Sequence, residues 1–289
     1  MKTFTEKLRP VLSAWTAFLA IFCLVIWLGH SMTSWQLPIG LINLARAIGL
    51  SIGFVAVIWV AMKSRKDRSE FLGTHGALKN LKHFVVGMGL LAGPLLVTLL
   101  ISKIFGWANY ELNPNSAIVK QQLFAALIVL LFEAFPEEIA FRGYLFGRLR
   151  TDFSAFKSGL ITVILFVLLP LIVVPFQIYV IDMPVTIGGS NAITGGYIMY
   201  MTLFGCLTAF LRVLTGSVWT GIGFHLMFVS MNHFLGIRES SLIVIRDYTN
   251  EGFIQLTLLT SILFVLIGIV MFARNKSKRI LAAQNLSTR

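Results

Sequence analysis

Apolar and polar positions in this chain fall into blocks, with long apolar runs separated by short segments that hold most of the charge. An α-helix needs about 20 consecutive apolar residues to cross the ~30 Å hydrocarbon core of a bilayer. Eight runs meet that need, at 11–29, 37–62, 85–104, 117–146, 158–180, 197–214, 217–235 and 253–273. Trp15 and Trp27 mark the first run as anchored at both interfaces. Arg46 interrupts the second, Pro94 lies in the third, and Pro170 and Pro175 lie in the fifth. The glycine-rich stretch 182–196 reads as a loop, and the mixed-charge stretch 237–252 reads as a loop on the outer surface. The pattern predicts an all-α fold, a polytopic transmembrane bundle of about eight helices, forming one integral-membrane domain over 1–289.

Composition sharpens this class. The chain is 57% hydrophobic and 12% charged, with a mean hydropathy of +0.83, which excludes an ordinary soluble globular domain. The net charge of +12 would suit a nucleic-acid binder, but its distribution points elsewhere. With the N-terminus placed in the cytoplasm, 19 of the 24 Lys and Arg residues fall in inner segments and 4 in outer ones. Such a bias sets orientation. It predicts a multi-pass cell-membrane protein with both termini cytoplasmic, membrane lipids as partners and no nucleic acid. The cluster at 63–68 then faces an anionic leaflet. The basic start lacks a small-residue cleavage site after Leu28, so the first run is expected to be an uncleaved span. Cys23 and Cys206 lie in apolar runs and signal neither a disulfide nor a metal.

Candidate chemistry sits in the fourth run, at Glu133-Ala-Phe-Pro136-Glu137-Glu138-Ile-Ala-Phe-Arg142-Gly143. Charge inside a bilayer is costly, so an intramembrane ionisable residue marks a functional site by default. Glu138 and Arg142 are i,i+4 neighbours on a helix and can pair. Glu137 points about 100° away and lacks that partner. A carboxylate held without a cation in a low-dielectric site is how a general base is made. Glu133 lies one turn earlier, as an auxiliary like charge. Pro136 removes a backbone donor and kinks the helix where the carboxylates emerge. The seventh run carries His225, with Asn232 and His233 further along; Asn232 is at most auxiliary.

These residues carry a resemblance. Glu137-Glu138-x-x-x-Arg142 followed by Gly143-Tyr144-Leu145-Phe146 resembles the first motif of the CAAX-protease and bacteriocin-processing (CPBP, or Abi) family of intramembrane endopeptidases. Thr215-Gly216-Ser217-Val218-Trp219 and His225 resemble the family's late helix. The likeness spans about 120–235. It implies that Glu137 activates a water, that Glu138 and Arg142 brace the site, and that His225 polarises a carbonyl or binds an oxyanion. It also implies a peptide or a lipidated, prenyl-type C-terminal tail as substrate, with bacteriocin processing or self-immunity as settings. Two positions depart from the pattern. The family's middle histidine is Pro170 here, in Phe166-Val-Leu-Leu-Pro170, and the polar residue four after His225 is Val229. No cofactor is expected. Zinc occurs as a family option, but a catalytic zinc takes three protein ligands, and Glu137 with His225 leaves the set incomplete.

Three function classes follow. One is an active CPBP-type endopeptidase. One is a family member without turnover, acting as a membrane scaffold or binding protein. The third is a transporter that relays protons through Glu133, Glu137 and Arg142; the chain lacks the internal repeats expected of one.

Overall fold

A computed structural model describes residues 3–107, 109–185, 193–236 and 239–247; the side chains of Asn232 and Asp247 also lie outside that description. The eighth predicted span, 253–273, and the basic C-terminal segment lie outside the described residues, as do residues 186–192 of the glycine-rich stretch 182–196.

The protein is an all-α, multi-pass membrane bundle. Helix α1 (Phe4–Ser31) opens on a capping box, in which Thr3 and Glu6 each accept the other's backbone N–H. A tight turn over Met32–Trp35 leads to α2 (Ile39–Ala61). A short α3 (Arg68–Leu72) precedes α4 (Ala77–Ile104). Strand β1 (Asn109–Leu112) is followed by α5 (Ser116–Arg150), α6 (Ala155–Val180) and α7 (Gly195–Thr215). Helix α8 (Val218–Phe234) runs into strand β2 (Leu235–Gly236), and β3 (Ile243–Asp247) completes the described chain. Among the described residues, α1, α2, α4, α5, α6 and α7 are long and apolar enough to span a bilayer.

Helix α8 differs from the expected span at 217–235. It has 17 residues, and only Val218–Met231 is apolar. Its first three turns are buried on almost every side, as expected of a helix that is hydrophobic all round and enclosed by others. Close approach to α4 makes this enclosure. A Cβ on Gly87 would overlap the Thr220 carbonyl, and one on Gly223 would overlap the Phe84 carbonyl. Small residues at crossings let backbones touch where lipid supplies no hydrophobic drive between helices. On the other side of the bundle α1 and α2 pack through Phe18 and Phe54, whose ring centroids are 4.7 Å apart.

Helix α5 is continuous but not regular. Two widened turns, Leu130–Ala134 and Ile139–Leu145, flank a normal turn at Phe135–Glu138. Pro136 has no N–H to offer the carbonyl four residues back, and its ring crowds that turn. The chain resolves this with wide turns rather than with a sharp break. Such i→i+5 turns are rare and concentrate at functional sites. Ser51 of α2 donates its hydroxyl to the Leu131 carbonyl within the first of them.

A small sheet closes one end of the bundle. Strand β3 pairs antiparallel with β1 and parallel with β2, in the order β1-β3-β2. The sequence pattern gave this region as loop; the strand Ile243–Asp247 lies within it. Gln122 of α5 donates to the Ser240 carbonyl at 2.7 Å, tying the sheet to the helix below it. Arg246 bridges Glu111 and Glu239 on the exposed side.

Candidate intramembrane active site

Glu137 and Glu138, successive residues of the normal turn of α5, point in different directions. Glu138 is fully buried and Arg142 nearly so. Arg142 Nη1 lies 3.2 Å from Glu138 Oε1, at the i,i+4 spacing read from the sequence. His225 of α8 brings Nδ1 to 3.3 Å from the same Glu138 oxygen. Glu138 is therefore shared between a guanidinium and an imidazole. His225, expected to work beside Glu137, has Glu138 as its direct partner.

The space for Glu138 comes from a glycine. A Cβ on Gly221 would stand 2.7 Å from Glu138 Oε2, so any larger residue there would push the carboxylate aside. Arg142 is held from two more directions, and His225 from one. Its Nη2 donates to the Gly205 carbonyl of α7 at 3.3 Å. Its guanidinium lies over the Phe166 ring of α6, 4.3 Å from the centroid. Phe204 stands edge-on to His225, with ring centroids 4.6 Å apart. Four helices thus fix one ion-paired group.

Glu133 and Glu137 point elsewhere. Both are half-buried and line a cavity of about 880 Å³ that also reaches His225. Its walls are largely aromatic and aliphatic, including Phe132, Phe166, Phe204 and Phe228, with Tyr197, Tyr200 and Gln177 as polar additions. A large apolar pocket with a few convergent polar groups is the form of a ligand site. Pro170 and Val229 line the same cavity, so both departures from the family pattern face this space.

The sequence-predicted residues divide accordingly. Glu133, Glu137 and His225 meet at the cavity, and Glu138 and Arg142 form the buried support behind it. The side chain of Asn232 lies outside the described residues; His233 is exposed. Sequence reasoning missed Gly221, which shapes the Glu138 site, and Arg212, which grips the Arg142 backbone from α7. The pair Gly221-x-Gly223 just before His225 was the available signal for the first. Among the described residues no group of three or more His, Cys, Asp or Glu has the geometry to hold a metal ion. That donor set does not fit a three-ligand zinc.

Residues 119–231 match the family model described as type II CAAX prenyl endopeptidase Rce1-like. The match covers α5 from its first turn through α8, and so takes in the whole constellation just described. Searches of curated proteins and of solved structures return no match.

Proposed function

We propose that this chain, a member of the Rce1-like CAAX prenyl endopeptidase family over residues 119–231, hydrolyses a peptide bond inside the membrane. Glu137 acts as the general base. It takes a proton from a cavity water, and the resulting hydroxide attacks the scissile carbonyl. His225 faces the developing oxyanion. Glu137 then returns the proton to the leaving amine, which balances the reaction without another co-reactant. Glu138 and Arg142 do not touch the substrate. They fix the ring of His225, whose Nδ1 lies against Glu138 and whose Nε2 is then the nitrogen left for the cavity. The observation that carries this reading is that one cavity is lined by both Glu137 and His225, while the neighbouring carboxylate, Glu138, is withdrawn into an ion pair. The apolar walls suit a substrate with a hydrophobic or lipidated tail. The protein is taken to lie in the cell membrane with its termini cytoplasmic.

One observation favours a second reading, a binding protein without turnover. Pro170 and Val229 give the cavity two apolar faces where the family pattern carries polar side chains. Peptide release in detergent separates the two. On the hydrolytic reading, Glu137→Gln lowers release by about 10²–10⁴-fold, the usual worth of a general base. Equal release, or none, from wild type and variant with peptide still bound would favour the binding protein.

A further inference from the structure

Arg212, near the C-terminal end of α7, is engaged by three separate segments. Its Nε donates to the Arg142 carbonyl at 3.0 Å. Its Nη1 donates to the Gly216 carbonyl in the α7–α8 turn. Its Nη2 donates to the Phe71 carbonyl at 3.4 Å. The fit around it is close: Gly73, at φ 72°, would drive a Cβ into the guanidinium. Gly216, at φ 70°, turns the chain so that its carbonyl meets the fork. Next to it, Val218 N–H donates to the Gly73 carbonyl at 3.0 Å, so the start of α8 is pinned to the same loop.

Helix α7 therefore holds Arg142 at both ends. The Gly205 carbonyl accepts from the guanidinium, and two turns later Arg212 donates to the main chain of the same residue. Arg142 lies in the second widened turn of α5, where the backbone has departed from regular α-helix geometry. Glu138, its partner, immediately precedes that turn. His225 lies two turns into α8, beyond the pinned start. One side chain thus links the turn that aims Glu138 to the turn that launches the helix carrying His225.

We infer that Arg212 is a positioning residue for the Glu138–His225 pair. It keys the widened turn of α5, the α7–α8 turn and the loop after α3 into one register. The inference rests on the reading of Glu137, Glu138 and His225 as one site. The role requires the planar fork: a lysine keeps the charge, but its three N–H groups radiate from one nitrogen and cannot span three carbonyls in fixed directions.

The test compares Arg212→Lys with the wild-type chain in detergent. The first readout is the rate of His225 modification by diethyl pyrocarbonate, followed by mass spectrometry, with His30 as internal reference. His225 is 4% exposed, so wild-type labelling is slow. Arg212→Lys should raise it about tenfold or more and leave His30 unchanged. Gln122→Ala, which loosens the distant sheet contact, is the structural control and should leave His225 labelling at the wild-type rate. The second readout is peptide release, where Arg212→Lys should lower kcat between about tenfold and a hundredfold, as misplacement of order 1 Å does, at unchanged KM. Unchanged His225 labelling in Arg212→Lys would overturn the inference, as would equal labelling gains in Arg212→Lys and Gln122→Ala. A wild-type chain that releases no peptide would defeat the hydrolytic reading alone, since the labelling still decides the positioning role.

Discussion

Replacing Arg142 with methionine isolates the buried ion pair, because methionine keeps most of the apolar stem and drops the charge. The structure sets the magnitude. The change removes a contact of 3.2 Å to Glu138 and a hydrogen bond of 3.3 Å to the Gly205 carbonyl. It also removes a cation from above the Phe166 ring, at 4.3 Å. A hydrogen bond from a charged donor is worth about 1.5–3 kcal/mol, and a desolvated cation–π contact about 2 kcal/mol. These contributions overlap, and removing one partner of a buried pair costs about 3–5 kcal/mol in total. That is roughly two to three and a half decades in the folded-to-unfolded ratio. Most of the loss arises because Glu138, with no exposed surface, is left with only His225 beside it. The double variant Glu138→Gln/Arg142→Met removes that stranded carboxylate. It should therefore lose less than the two single variants summed, by about 2 kcal/mol or more, within the usual range of coupling energies. Reversible unfolding in mixed micelles of increasing dodecyl sulfate content, read by tryptophan fluorescence, measures all four proteins. An Arg142→Met variant within about 1 kcal/mol of wild type, the size of an exposed pair, would refute the reasoning. So would strict additivity in the double variant.

Two other predictions follow from the fold. Gly87→Ala should destabilise the bundle by about 1–3 kcal/mol, the range for overpacking, because its Cβ would overlap the Thr220 carbonyl of α8. In the same helix Gly89 has open space, so Gly89→Ala should be neutral or gain up to about 1 kcal/mol from helix propensity; equal effects in the same micelle assay would contradict the packing. Single cysteines at Lys66 and Glu239 should label with an impermeant maleimide from opposite sides of sealed vesicles, as the charge bias predicts, and labelling from one side would overturn the topology.

How much of this was legible in the sequence depended on the range of the interactions involved. Apolar runs report spans directly, and the first six predicted runs each coincide with a helix that the structure describes, with ends shifted by up to about two turns. The Glu138–Arg142 pair was legible because i,i+4 spacing is local. The wide turns of α5 were not, since hydrophobic periodicity carries no mark of an i→i+5 bond; Pro136 announced a disturbance without its form. His225 was identifiable as a candidate, but its contact with Glu138 depends on how α8 packs on α5, where Gly221 leaves room for the carboxylate. Arg212 looked like one more inner-leaflet cation, because hydrogen bonds to carbonyls from three segments leave no pattern in the chain. The sheet escaped for a related reason: β1 has 4 residues and its partner lies more than 130 positions away.

The central claim is that Glu137 and His225 act on one water and one carbonyl in the shared cavity. Its most direct test is the release of a lipidated C-terminal peptide by four detergent-purified proteins: wild type, Glu137→Gln, His225→Gln and the double variant. Groups that act as a unit are grossly non-additive. The account predicts a loss of about 10²–10⁴-fold for Glu137→Gln and about 10²–10³-fold for His225→Gln, with the double variant scarcely worse than Glu137→Gln alone. Losses that multiply in the double variant, or a Glu137→Gln protein as active as wild type, would contradict it.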